Sequence, residues 1–108
     1  MEEKRGNKRY KTHAKVKIEG IGETDIQLND ISITGCRVLC PVCKEIELNK
    51  KYKMEIIPEA QAGTGRFELI AESRWIHTEN LTSNIGFSIV ESPKGKQFQH
   101  YVDYLSWR

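Results

Sequence analysis

Long apolar runs are missing from this 108-residue chain, and nothing in it approaches the ~18 consecutive apolar residues of a membrane-spanning helix. The start, Met1-Glu2-Glu3-Lys4-Arg5, is followed by no apolar stretch, so no secretory leader is expected. Cysteine is scarce and odd in number: Cys36, Cys40 and Cys43 fall within eight residues. An odd count without a leader points to reduced thiols and a cytoplasmic protein rather than a disulfide framework. Cys40-Pro41-Val42-Cys43 has the spacing of half a zinc site, but no second Cys-x-x-Cys or His-x-x-x-His follows. The three cysteines therefore read as small apolar fillers, with no metal and no cofactor expected. A catalytic constellation is also wanting. Ser32 has no neighbouring histidine, His13, His77 and His100 are scattered, and Gly63-Thr64-Gly65 lacks the Lys-Ser/Thr of a phosphate loop. The chain is not expected to be an enzyme.

What is present is a lopsided charge. Residues 1–17 carry seven Lys/Arg against two Glu, while the rest carries ten basic against thirteen acidic residues. A basic end of this kind either meets an anion or keeps a tail solvated. The dominant hydrophobic period is two. Ala14, Val16 and Ile18 alternate with lysines, and further strands are expected over Ile26–Ile31, Cys36–Leu39, Tyr52–Ile57, Phe67–Ile76 and Asn84–Val90. In the Ile26–Ile31 strand the apolar face changes near Asp30, which predicts a bulge or bend there. The period then changes. Ser92 before Pro93 is a helix-start signal, and Phe98, Tyr101, Val102 and Leu105 form one apolar helical face. The expected fold is one all-β domain, a six-stranded antiparallel barrel over 12–91. A flexible basic N-terminal arm, 1–11, precedes it and a C-terminal helix, 92–107, follows.

Two motifs carry chemistry. Arg5 and Arg9 form an Arg-x-x-x-Arg on the arm. A guanidinium forks two hydrogen bonds onto phosphate or onto guanine O6 and N7, and its face stacks on bases. Asp30, Ser32 and Gly35 form an Asp-x-Ser-x-x-Gly. On a strand, Asp30 and Ser32 share a face, with Ile31 and Ile33 directed to the core. A carboxylate accepts from guanine N1–H and N2–H₂ together, a hydroxyl adds a donor or acceptor beside it, and Gly35 allows positive φ or close approach of a ligand. The alternative for this stretch is a turn in which Asp30 and Ser32 cap local backbone groups.

Both motifs, in this order, in a small β-rich chain ending in a helix, resemble the PilZ domain family. Arg74-Trp75 in a long strand followed by Ile85-Gly86-Phe87 is similar to the family's tryptophan strand and its apolar-Gly-apolar strand. Ile89 departs from it where an aromatic is frequent. The resemblance covers almost the whole chain. It implies a small barrel that binds the bacterial second messenger cyclic di-GMP. Arg5 and Arg9 would hold phosphates and guanine, Asp30 and Ser32 would read a guanine edge, and Gly35 would let the strand end approach the ligand. Lys4, Lys8 and Trp75 are further candidates for ligand contact. The expected mechanism is ordering of the arm on binding, signalled to a separate, unidentified protein effector. The competing reading is a small nucleic-acid-binding barrel using the basic arm. Confinement of the charge to one end, and the lack of an aromatic row along one strand, make nucleic acid the less favoured partner.

Overall fold

Alternation in the sequence becomes alternation in burial. The computed structural model describes residues 8–21, 25–41, 46–91 and 96–107. Seven strands run in the order β1 (Tyr10–Lys11), β2 (Lys15–Ile18), β3 (Ile26–Ile31), β4 (Gly35–Pro41), β5 (Lys51–Ile57), β6 (Phe67–Glu79) and β7 (Thr82–Glu91), and one helix, α1 (Gln97–Trp107), ends the chain. Val16 and Ile18 of β2, Tyr52, Met54 and Ile56 of β5, and Phe67, Leu69 and Ala71 of β6 all point inward, while the residues between them do not. Side chains of successive strand residues take opposite faces, so one apolar residue in two suffices to build the core.

The sheet closes on itself. β3 pairs with β2 and β4, β4 with β7, β7 with β6, β6 with β5, and β5 with β2, all antiparallel. This ring is the expected six-stranded barrel. Closure leaves none of these six strands as a long free edge. β1 is an addition: Tyr10 lies opposite Ile31 and Lys11 opposite Asp30. The last two residues assigned to the arm are thus strand, held by backbone bonds to β3 and by Tyr10, which packs part-buried against the core. Between β1 and β2 the chain stays beside β3. Thr12 Oγ1 donates to the Leu28 carbonyl at 2.7 Å, and Leu28 N–H donates to the Ala14 carbonyl at 2.9 Å.

The helix closes one end. Its buried residues are Phe98, Tyr101, Val102 and Leu105, the face expected from the spacing. Phe67 at the start of β6 meets the rings of Phe98 and Tyr101 at 5.7 and 6.0 Å between centroids. Tyr101 is fully buried and its hydroxyl donates to Glu59 Oε1 at 2.6 Å. The Ser92-Pro93 start signal lies outside the described residues. None of the described helices is long and apolar enough to cross a membrane.

Candidate functional site

Two bulges shape the outer face of the barrel. The β3–β4 register shifts between Leu28 and Asp30, so Asn29 and Asp30 together oppose Arg37. This is the change of face anticipated at Asp30: Leu28 points inward, Asp30 points outward, and Ile31 returns to the core. The β6–β7 register shifts between Ser73 and Trp75, so Arg74 and Trp75 oppose the stretch Gly86–Phe87. Paired residues on neighbouring strands present the same face. Asp30, Arg37, Gly86 and Trp75 therefore form one outward rung across four strands.

Asp30 is the electrostatic centre of this rung. Its side chain is 6% exposed, and each oxygen holds a guanidinium: Arg9 Nη1 on Oδ1 at 2.9 Å, Arg37 Nη2 on Oδ2 at 2.6 Å. A charged hydrogen bond from Arg9 and the close ion pair with Arg37 compensate a carboxylate that water reaches poorly. With its amide turned to present oxygen, Asn29 accepts from Arg37 Nε and Nη2, both at 3.2 Å. Arg9 comes from the residue just before β1, so the β1–β3 pairing delivers it to Asp30. Lys8 instead places its ammonium 5.7 Å from the Tyr10 ring centroid. Arg5 and Lys4 lie outside the described residues.

The turn between β3 and β4 differs from the expectation in two respects. Ser32 follows the end of β3 and is buried; its hydroxyl accepts from Thr34 N–H at 3.2 Å and Gly35 N–H at 3.1 Å. It is thus the capping hydroxyl of the alternative reading, and it fixes the hairpin that presents Asp30. Ile33 does not point into the core. It occupies the turn, where the two-residue alternation has stopped, and is 50% exposed. Gly35 is not among the described residues with positive φ. A Cβ there would sit 2.8 Å from the Phe87 carbonyl oxygen and 3.7 Å from Arg9 Nη2. Glycine is needed because the β7 backbone comes too close for a Cβ, whereas the arginine lies at ordinary contact distance.

Gly86 has a similar role. A Cβ there would lie 2.1 Å from Trp75 Nε1, so the indole rests directly on the glycine. Trp75 stays 43% exposed beside the rung. Arg74 extends the basic rim, donating from Nε to Ser88 Oγ at 2.9 Å. Arg37 is the residue that sequence reasoning missed. The available signal was register: a turn closed between Ser32 and Gly35 places Asp30 opposite Arg37.

Beneath the rung lies Cys36. Burial pushes its thiol up to about 12; the Arg9 charge acts in the opposite direction and Asp30 adds to the rise. Cys40 is also buried, while Cys43 lies outside the described residues. Among the described residues no cluster of His, Cys, Asp and Glu is arranged to hold a metal ion. An unfolded cysteine with its ordinary pKa of 9.0 ionises before the folded one does. The stabilisation from keeping Cys36 neutral is complete below that value and is lost as pH climbs towards 12. We expect stability to fall above pH 9 with a contribution of up to about 1.4 kcal/mol per pH unit from this thiol. Urea denaturation at several alkaline pH values should show a steeper decline for the parent than for Cys36→Ala; equal slopes would contradict the assignment.

The site is thus a carboxylate set between two guanidiniums, on a floor of Gly35 and Gly86, rimmed by Trp75 and Arg74. It can accept from paired N–H donors and donate to phosphates or carbonyls. Among solved structures, the Bacillus subtilis inhibitor of motility MotI/DgrA has a similar fold, with a TM-score of 0.77 and 21% sequence identity. The match covers 98% of this chain and 51% of that one, so the present chain spans about half its length. Among curated protein sequences none matches. The PilZ domain profile matches residues 3–107, a span that takes in both motifs, the whole barrel and the whole of α1, and on that match the chain belongs to the PilZ domain family.

Proposed function

We propose that this protein is a cyclic di-GMP receptor, and that binding draws the N-terminal arm over the barrel and changes the surface met by a separate effector protein. The observation that carries the reading is the 2.9 Å contact between Arg9 and Asp30, which joins the two motifs across 21 residues of sequence. A family of cyclic di-GMP receptors, and a binding role rather than an enzymatic one, fit the same residues. Asp30 supplies the acceptor pair for guanine N1–H and N2–H₂. Arg9, with Arg5, supplies forked donors for phosphate. Ser32 acts by holding the turn, and Gly35 by leaving room. The arm-ordering step concerns residues 1–7 above all, which lie outside the described residues.

Calorimetric titration with cyclic di-GMP, with GTP and a short RNA as controls, tests the reading. Saturable binding should favour cyclic di-GMP over cyclic di-AMP by about a hundredfold, since adenine offers no matching donor pair to Asp30. Arg9→Ala should weaken binding by roughly 1.5–3 kcal/mol, as for a charged hydrogen bond. Lys8→Ala, which removes screened charge and a contact with the Tyr10 ring but no forked donor, should cost much less. Equal small losses from both substitutions would indicate a diffuse electrostatic arm. Amide hydrogen exchange should show protection rising in the arm and around residues 30–35, with little change elsewhere. An arm equally protected with and without ligand would refute the switch while leaving binding intact.

A further inference from the structure

We infer that Arg37 reads guanine together with Asp30, the two side chains forming a donor–acceptor–acceptor row that complements the whole Watson–Crick edge of the base. The inference rests on the receptor reading and adds a residue outside both sequence motifs. Guanine presents on that edge one acceptor, O6, followed by two donors, N1–H and N2–H₂. Asp30 alone can meet the two donors and leaves O6 unmatched. A buried carbonyl oxygen without a donor is costly, and a neighbouring donor removes that cost.

Arg37 stands where that donor is needed. Its Nη2 lies 2.6 Å from Asp30 Oδ2, close to the separation of adjacent polar atoms along a base edge. The guanidinium is held from a second side by Asn29, which accepts from Nε and Nη2 at 3.2 Å. The β3 bulge is what puts both Asn29 and Asp30 opposite this one arginine. Asp30 and Asn29 engage its Nη2 and Nε and not its Nη1, and the side chain is 39% exposed. Gly86, opposite Arg37 on β7, contributes no side chain, and the indole of Trp75 closes the far side. Arg9, by contrast, meets Asp30 through one contact among the described residues, on Oδ1, and is 54% exposed. An incoming base therefore replaces Arg9 on Asp30, while Arg37 remains as part of the reading surface.

The arrangement also rejects adenine twice. Adenine N6–H₂ would face the Arg37 donors, and adenine N1, an acceptor, would face the carboxylate. Removing Arg37 should thus cost guanine more than adenine. The experiment is titration of the wild type, Arg37→Met and Arg37→Lys with cyclic di-GMP, with cyclic di-AMP measured in competition and thermal melting as a check on folding. We expect Arg37→Met to weaken cyclic di-GMP binding by about ten- to a hundredfold without a matching loss for cyclic di-AMP. The ratio between the two ligands should narrow, and Arg37→Lys should restore part of it. Unchanged cyclic di-GMP affinity, or equal losses for both ligands, would overturn the role and leave Arg37 as a structural or general electrostatic residue. Should the Met variant fail to fold, Arg37→Lys decides: an ammonium lacks the second fork, so an unchanged ratio there overturns the role. A wild type that does not bind cyclic di-GMP defeats the receptor reading itself; wild-type binding with an unaltered ratio in the variants defeats only Arg37.

Discussion

Asp30→Ala is expected to reduce cyclic di-GMP affinity by about a hundredfold or more while leaving the barrel folded. Two paired acceptors are lost, and a charged hydrogen bond of this type is worth roughly 1.5–3 kcal/mol. The fold tolerates the change because Arg9 and Arg37 are both more than a third exposed, so water can solvate the released guanidiniums. Removing one member of a fully buried pair would be far more damaging. Asp30→Asn should fall between the two, since it keeps one acceptor but turns a second N–H towards the arginines. Titration alongside thermal melting separates binding from stability. Affinity retained by Asp30→Ala would remove the carboxylate from the site.

The largest loss of stability should come from Tyr101→Ala. Tyr101 is fully buried, meets Phe67 at 6.0 Å and stacks on Tyr104 at 6.2 Å between ring centroids. Truncating a core aromatic costs about 3–5 kcal/mol, a large share of the 5–15 kcal/mol that holds a typical domain. Tyr101→Phe isolates the hydroxyl, whose bond to Glu59 spans 42 residues of sequence. Its loss should cost about 1–3 kcal/mol, because an acceptor on a carboxylate is left behind. Urea denaturation of the three proteins gives both figures. If Tyr101→Ala lost less than Tyr101→Phe, the helix would not be part of the cooperative core.

The strands and the helix were legible because each buries one face with a fixed period. Val16 and Ile18 announce β2 as plainly as Phe98, Tyr101, Val102 and Leu105 announce α1. The bulge at Asp30 was legible for the same reason, since a change of face within a strand requires an extra residue. Periodicity fails where alternation stops. Ile33 has the chemistry of a core residue but sits in a turn, and nothing local distinguishes it from Ile31. Ser32 was open to two readings, and hairpin geometry selects the turn. β1 was hard to read because two residues are too short to show a period, although Tyr10 packs against the core while backbone bonds tie the pair to β3. Arg37 was hidden for a different reason. Its role depends on which residue faces it across the sheet, and that is a property of register.

The short β1 strand has a consequence for how affinity is set. By pinning Tyr10 to Ile31, it keeps Arg9 at Asp30 with an effective concentration on the order of millimolar or above, as for any short intramolecular tether. On the proposed receptor reading, Arg9 is then a built-in competitor for the carboxylate that would meet the base. The apparent dissociation constant equals the intrinsic one divided by the fraction of molecules in which Arg9 has let go. Inserting residues between Arg9 and Tyr10 would raise that fraction while leaving Asp30 and the barrel side of the site unchanged. Salt acts on both sides of the same balance. It weakens the grip of arginine on phosphate, and it also loosens Arg9 from Asp30, so the salt dependence of binding should be shallower than the number of phosphate contacts alone would give.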